Sequence, residues 1–157
     1  MMSLCCEVLE ALRGRTLVTA ESCTGGGIGA ALTAVPGSSA VYKGGVISYS
    51  NDVKEHVLGV PGEILDQYGA VSAPVAEAMA LGVRNILQAD ISVSVTGLAG
   101  PGGDTYGHGV GTVFVGCSTP KGTVVREFHF SGDRHGVREQ AIDAALRLVL
   151  ACCQQME

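Results

Sequence analysis

The segment Glu21-Ser22-Cys23-Thr24-Gly25-Gly26-Gly27 combines hydroxyls, a thiol, a carboxylate and three glycines directly after the apolar run Thr16–Ala20. As a strand-to-helix turn it would offer free backbone N–H groups and the positive end of a helix dipole to an anion, with glycines allowing close approach. It is no Walker loop, because GxxxxGK[ST] and its lysine are missing. The plain alternative is a tight turn with no ligand. A second cluster is Ser48-Tyr49-Ser50-Asn51, with Lys54 a turn later. If Asn51 or Asp52 caps a short helix, Lys54 stands near its first turn, where a cation opposes the dipole unless an anion is close. A solvated surface lysine is the plain alternative. Ser38 and Ser39, after Pro36-Gly37, read on their own as turn residues.

Two further clusters complete the set. Thr96-Gly97-Leu98-Ala99-Gly100-Pro101-Gly102-Gly103-Asp104 is a long glycine loop straight after a strand, which compact domains rarely keep without a functional reason. Ser131-Gly132-Asp133-Arg134, with Arg138 four residues on, puts two guanidinium groups on one helix face. Such a pair suits a phosphate or carboxylate through bidentate hydrogen bonds, or else pairs with neighbouring surface charges. Gly107-His108-Gly109-Val110-Gly111 precedes a strand instead of opening a helix and is not a dinucleotide fingerprint. His56, His108, His129 and His135 form no HExxH and share no ligand spacing, so no metal and no cofactor is expected.

The elements that must position these groups follow from periodicity. Leu4, Val8 and Leu12 predict an amphipathic helix over residues 3–13, and Thr16–Ala20 a buried strand. Ile28, Ala31 and Leu32 predict a helix closed by Pro36-Gly37, and residues 41–50 a strand whose Gly44-Gly45 marks a bulge or a close backbone approach. Short helices are expected from Asn51 or Asp52 to Leu58 and from Pro61 to Tyr68. A longer one starts at Ser72-Pro74 and ends near Gln88. Asp90–Thr96 alternates as a strand, residues 110–118 and 123–130 flank a turn as a hairpin, and a last helix runs from Asp133 to about Cys152. This order predicts one three-layer α/β/α domain over residues 1–157, with a mixed, mostly parallel sheet and a late antiparallel hairpin. In such sheets ligands bind beyond the carboxyl ends of the strands, where all four clusters fall.

Composition narrows the function classes. The chain has 157 residues, 46% hydrophobic and 16% charged, with a mean hydropathy of +0.33. That excludes a disordered chain, and no apolar run approaches the ~18 residues of a membrane span. The net charge of −5 argues against direct nucleic-acid binding, which wants a basic field. A charged share below the usual ~25% leaves neutral surface and points to a homo-oligomer, a dimer or higher. The 23 glycines are about twice the usual ~7%. Cys5, Cys6, Cys23, Cys117, Cys152 and Cys153 lack CxxC or zinc spacing and read as reduced thiols of a cytoplasmic protein. The N-terminus, with Glu7 and Glu10 in its apolar run, is not a signal peptide.

Taken together, AESCTGG, PGSSAVYKGGVISYSN, Lys54, GAVSAPV, SVTGLAGPGG and SGDR resemble, in colinear order over about residues 5–150, the C-terminal domain of the competence/damage-inducible CinA proteins. That family includes stand-alone nicotinamide-mononucleotide deamidases. The resemblance implies a three-layer α/β/α fold and hydrolysis of the nicotinamide carboxamide of a small nucleotide, giving nicotinate mononucleotide and ammonia. Carried onto this sequence, it implies Ser39 as nucleophile, Lys54 as its base, Tyr49 as an active-site tyrosine and Thr96 as a group placing substrate or lysine. It implies substrate binding by Ser22, Thr24, Gly25 and Gly26 of the first loop and by Gly97 and Gly100 of the later one. Arg134 matches a substrate-binding arginine, and whether it or Arg138 meets the phosphate stays open. A lysine titrating near ~10.4 must be desolvated or set near cations to act as a base at neutral pH. Two other readings stand beside this one. Cys23 with Glu21 and Lys54 would offer a thiol nucleophile, and a non-catalytic nucleotide-sensing or protein-interaction domain would bind without turnover.

Overall fold

The run Leu17–Glu21 forms β1 and is buried along its whole length because it becomes the interior of a sheet. β2 (Tyr42–Ile47) and β3 (Ile91–Gly97) run parallel to it on either side. β4 (Thr112–Thr119) adds antiparallel to β3, and β5 (Gly122–His129) returns as the hairpin, giving the order β2-β1-β3-β4-β5. The computed structural model from which this architecture is read describes residues 1–156. The expected mixed, three-layer α/β arrangement forms, and no helix among the described residues is long and apolar enough to cross a membrane.

Alternation in the strands sorts the helices. Leu17, Ile91, Val93, Val95, Val113 and Val115 face one way and pack under α1 (Met2–Ala11), α2 (Gly27–Thr33) and α6 (Arg134–Gln154). Val18 and Ala20 face the other way, toward Val75, Met79 and Val83 of α5 (Ala73–Ile86), with Leu58, Val60 and Leu65 beside them. Leu65 belongs to α4 (Gly62–Tyr68), which comes after the six-residue α3 (Asn51–His56). α2 therefore crosses one face and α3–α5 the other, so the chain reverses its direction of travel around β1. That reversal opens a crevice at the carboxyl ends of the parallel strands.

Two local expectations resolve in detail. The Gly-Gly pair of β2 serves both roles: the β1–β2 register shifts between Leu17 and Val18, which pair with Tyr42 and Gly44. A side chain at Gly45 would also collide with the hydroxyl and carbonyl of Thr19. In β3 the serines of the alternating pattern are not solvated. Ser92 and Ser94 are buried under α5 and donate at 2.6 Å each to the Ala80 and Ala76 carbonyls. A fully covered strand carries polar residues only if they are hydrogen-bonded. Ser94→Ala is expected to lower stability by about 1 kcal/mol, read as a lower urea midpoint at unchanged slope.

Candidate active site

The parallel register Glu21↔Ile47 and Glu21↔Val95 levels the carboxyl ends of the first three strands. The segments leaving those three ends therefore meet at one place. Ser22 and Cys23 leave β1, Tyr49 and Lys54 come after β2, and Leu98, Ala99, Gly100 and Gly102 come after β3, whose last residue is Gly97. Together with Thr96, Gly97, Ala70, Val71 and Arg134 they line a cleft of about 270 Å³. Wider grooves of about 690 Å³ between β5 and α6 and about 600 Å³ along α5 hold none of these groups.

Lys54 is the centre of the cleft. Ser50, not Asn51 or Asp52, caps α3, its hydroxyl accepting the Val53 N–H at 3.3 Å. This start aims Lys54 inward, where it is 1% exposed instead of solvated. Its Nζ donates to the Ser48 carbonyl at 2.7 Å, the Tyr49 carbonyl at 3.4 Å and the Ser22 Oγ at 3.0 Å. All three partners are neutral. Burial pulls the ammonium down from its ordinary 10.5 to about 8. Desolvation is the leading cause, so the opposing dipole expected from the sequence is not needed to explain it.

Ser22 is nearly buried, and its N–H is fixed on the Val95 carbonyl at 3.0 Å. Ser39 lies elsewhere. It is exposed, in the 3-10 turn Ser38–Ala40 that leads into β2, whereas Lys54 reaches back to the residue just past the end of β2. The six-residue strand between them spans about 20 Å at ~3.3 Å per residue, so within this chain Ser39 and Lys54 occupy opposite ends of the sheet. The hydroxyl that meets Lys54 is Ser22.

The remaining residues divide between cleft wall and support. Thr96 lines the cleft with its hydroxyl spent on the Ala70 carbonyl at 2.8 Å, which anchors the Ala70-Val71 wall and leaves Lys54 untouched. Tyr49 is 62% exposed at the rim, and its phenol accepts from the Arg134 guanidinium at 3.1 Å. Arg134 also donates to the Gly100 carbonyl at 2.7 Å and lines the cleft. Arg138 does not line it, and instead ties the first loop by donating to the Cys23 and Thr24 carbonyls at 3.0 and 3.2 Å. Between the two arginines only Arg134 is placed to meet a ligand in this cleft.

The first loop differs most from its sequence reading. The α2 N-terminus already holds an anion, because both carboxylate oxygens of Glu21 accept from its N–H groups and from Thr24. Gly25 and Gly26 make the turn, with φ of +58° and +100°, and Thr24 is fully buried; none of the three lines the cleft. Burial pushes the Cys23 thiol up to about 11, so at neutral pH it is protonated and a poor nucleophile. With Glu21 committed to α2, the thiol alternative loses both its nucleophile and its acid. The sequence reading missed Glu21 as a cap, although a carboxylate ending a wholly buried strand signals that donors must surround it.

Comparison with known proteins places the fold in a family. The family model described as the CinA C-terminal domain matches residues 2–153. A CinA-like protein of Parasynechococcus marenigrum is 56% identical over 136 residues, covering 85% of this chain and 32% of that protein. One from Desulfotalea psychrophila is 49% identical, covering 87% of this chain and 33% of that protein, so the chain spans about a third of these curated relatives. Among solved structures, a CinA superfamily protein of Klebsiella pneumoniae superposes with a TM-score of 0.95 at 35% identity, covering 98% of each chain. A competence/damage-inducible protein of Agrobacterium tumefaciens gives 0.92 at 37% identity, covering 96% of this chain and 93% of that one. With the same fold over nearly its full length and the family model matched from the first helix to the last, the chain belongs to the CinA C-terminal domain family.

Proposed function

We propose that this protein hydrolyses the carboxamide of nicotinamide mononucleotide to nicotinate mononucleotide and ammonia, with Ser22 as nucleophile and Lys54 as its general base. The observation that carries this reading is the coordination of Lys54 Nζ by two carbonyls and one hydroxyl. When the lysine is neutral, its two N–H groups stay on the Ser48 and Tyr49 carbonyls. Its lone pair then points at the Ser22 hydroxyl, the geometry a base needs to take that proton. Ser22 Oγ attacks the carboxamide carbon as its proton passes to Lys54. The C–N bond breaks, Lys54 returns the proton, and ammonia leaves an ester on Ser22. Water attacks the ester as its proton passes to Lys54, the bond from the acyl carbon to Ser22 Oγ breaks, and Lys54 returns the proton to Ser22 as the acid product leaves. The Ala99 and Gly100 amides, in the cleft wall, are the donors suited to the developing oxyanion.

The substrate class rests on family membership together with the contents of the cleft. About 270 Å³ suits one small nucleotide, and Arg134 at the rim supplies a bidentate donor for its phosphate. Arg134→Lys keeps the charge but loses the planar fork, so it is expected to raise KM about tenfold or more while kcat changes little. Because burial lowers Lys54 to about 8, kcat/KM is expected to rise with pH through a midpoint near that value. A profile flat from pH 6.5 to 9.5 would contradict a lysine base. The deciding assay is ammonia release from nicotinamide mononucleotide, and nucleotide binding with no turnover would favour a sensing domain.

A further inference from the structure

Glu21 ends β1 and is 2% exposed. A buried carboxylate is tolerated only when donors surround it. Here Oε1 accepts from the Thr24 hydroxyl at 2.6 Å and the Ile28 N–H at 2.8 Å, and Oε2 from the Gly29 N–H at 3.0 Å. The N-cap of α2 is Gly26, which has no side chain to offer, so the carboxylate reaches forward from the strand and caps the helix in its place. The same residue's backbone serves the other side of the site. Its carbonyl accepts the Ser48 N–H at 2.8 Å, and the Ser48 carbonyl in turn holds Lys54 Nζ. Ser22 is its immediate neighbour. One residue thus joins the turn that carries the hydroxyl to the strand end that carries the lysine.

We infer that Glu21 is a positioning residue for the Ser22–Lys54 pair, its carboxylate clamping the Ser22–Gly29 turn to the end of β1 so that the Ser22 hydroxyl stays on Lys54. The inference rests on the dyad proposed above. It assigns Glu21 no part in the proton transfers: its side-chain bonds go to Thr24 and α2, and none to Lys54. Loss of the clamp should therefore misplace the nucleophile without moving the lysine's titration, and a displacement of about 1 Å at a reacting atom costs on the order of 10²-fold.

The test is Glu21→Gln, which keeps the shape but turns an NH2 group toward the α2 donors. Thr24→Val and Thr24→Ser serve as a second pair that removes or keeps one of the three bonds. Two readouts are taken on folded protein: labelling of Ser22 by a fluorophosphonate, with intact mass and peptide mapping, and turnover of nicotinamide mononucleotide across pH. In Glu21→Gln and Thr24→Val, labelling rate and kcat should fall roughly 10- to 100-fold, with KM within about threefold and the pH midpoint unmoved. Thr24→Ser should recover most of the loss. Unchanged labelling and kcat would overturn the inference, and so would a downward shift of the pH midpoint, which would make Glu21 a charge partner of Lys54. Wild-type protein that is active but unlabelled at Ser22, or neither labelled nor active, would overturn the dyad itself and the inference with it. If Glu21→Gln fails to fold, the threonine pair decides alone.

Discussion

Ser22→Ala is expected to reduce ammonia release from nicotinamide mononucleotide by at least ~10³-fold, whereas Ser39→Ala leaves it within about twofold of wild type. Removing a nucleophile strips the covalent path and leaves only binding and oxyanion stabilisation, which is why the loss is so large. The structural ground is that Ser22 Oγ lies 3.0 Å from Lys54 Nζ, while Ser39 occupies the exposed turn at the far end of β2. The alanine should fold, since it gives up a hydroxyl whose one side-chain bond is to the lysine. Melting curves for both variants accompany the assay. If Ser39→Ala were the inactive one, with Ser22→Ala active, the hydroxyl that Lys54 activates would have to come from outside this chain's own cleft.

The second large effect separates activity from stability. Lys54→Met should abolish turnover and at the same time make the protein more stable at pH 7. An ammonium titrating at about 8 instead of 10.5 is held in the fold at a cost of about 3 kcal/mol. Methionine has a similar length and no charge to desolvate. Part of the gain is lost because the Ser48 carbonyl gives up its Nζ donor, at about 1 kcal/mol. A net gain of about 1–2 kcal/mol would raise Tm by roughly 2–8 °C for a domain of this size.

The pH dependence of that gain carries its own sign. Below pH 8 the lysine is charged in both folded and unfolded chains, and the full burial cost is present. Between about 8 and 10.5 the folded lysine discharges while the unfolded one stays charged, so the cost shrinks. Above 10.5 it is gone. The difference in Tm between Lys54→Met and wild type should therefore be largest at pH 7 and fade toward pH 10.5. A variant less stable than wild type at pH 7 would mean that the Nζ hydrogen bonds outweigh its desolvation. A functional site that destabilises the fold carrying it is a known trade.

Much of this fold is legible residue by residue. Leu4, Val8 and Leu12 mark α1, and Ser72 with Pro74 marks the start of α5. The runs either side of Pro120-Lys121 mark the β4–β5 hairpin, whose ladder then forms without a break. Those signals are local, since each depends on spacing along one segment. The serines of β3 and the cap of α3 read less well. Whether Ser92 and Ser94 meet water or the α5 carbonyls depends on a helix folding over them, and Ser50, Asn51 and Asp52 are all competent caps.

The site divides the same way. The sequence by itself determined that hydroxyls, glycines, a lysine and arginines gather at strand ends, because strand-loop-helix alternation is written in hydrophobic periodicity. Which hydroxyl Lys54 meets was decided only by the tertiary structure. Ser39 is nearer to Lys54 along the chain than Ser22 is, but the extended β2 carries the two apart. The parallel register Glu21↔Ile47 brings Ser22 level with Ser48, the residue whose carbonyl holds Lys54. Burial of Lys54, and with it the fall to about 8, likewise arises only when the ends of three strands and the Ala70-Val71 wall close around one ammonium. Periodicity is a property of one segment, whereas register and desolvation are properties of segments brought together, and no residue spacing encodes them.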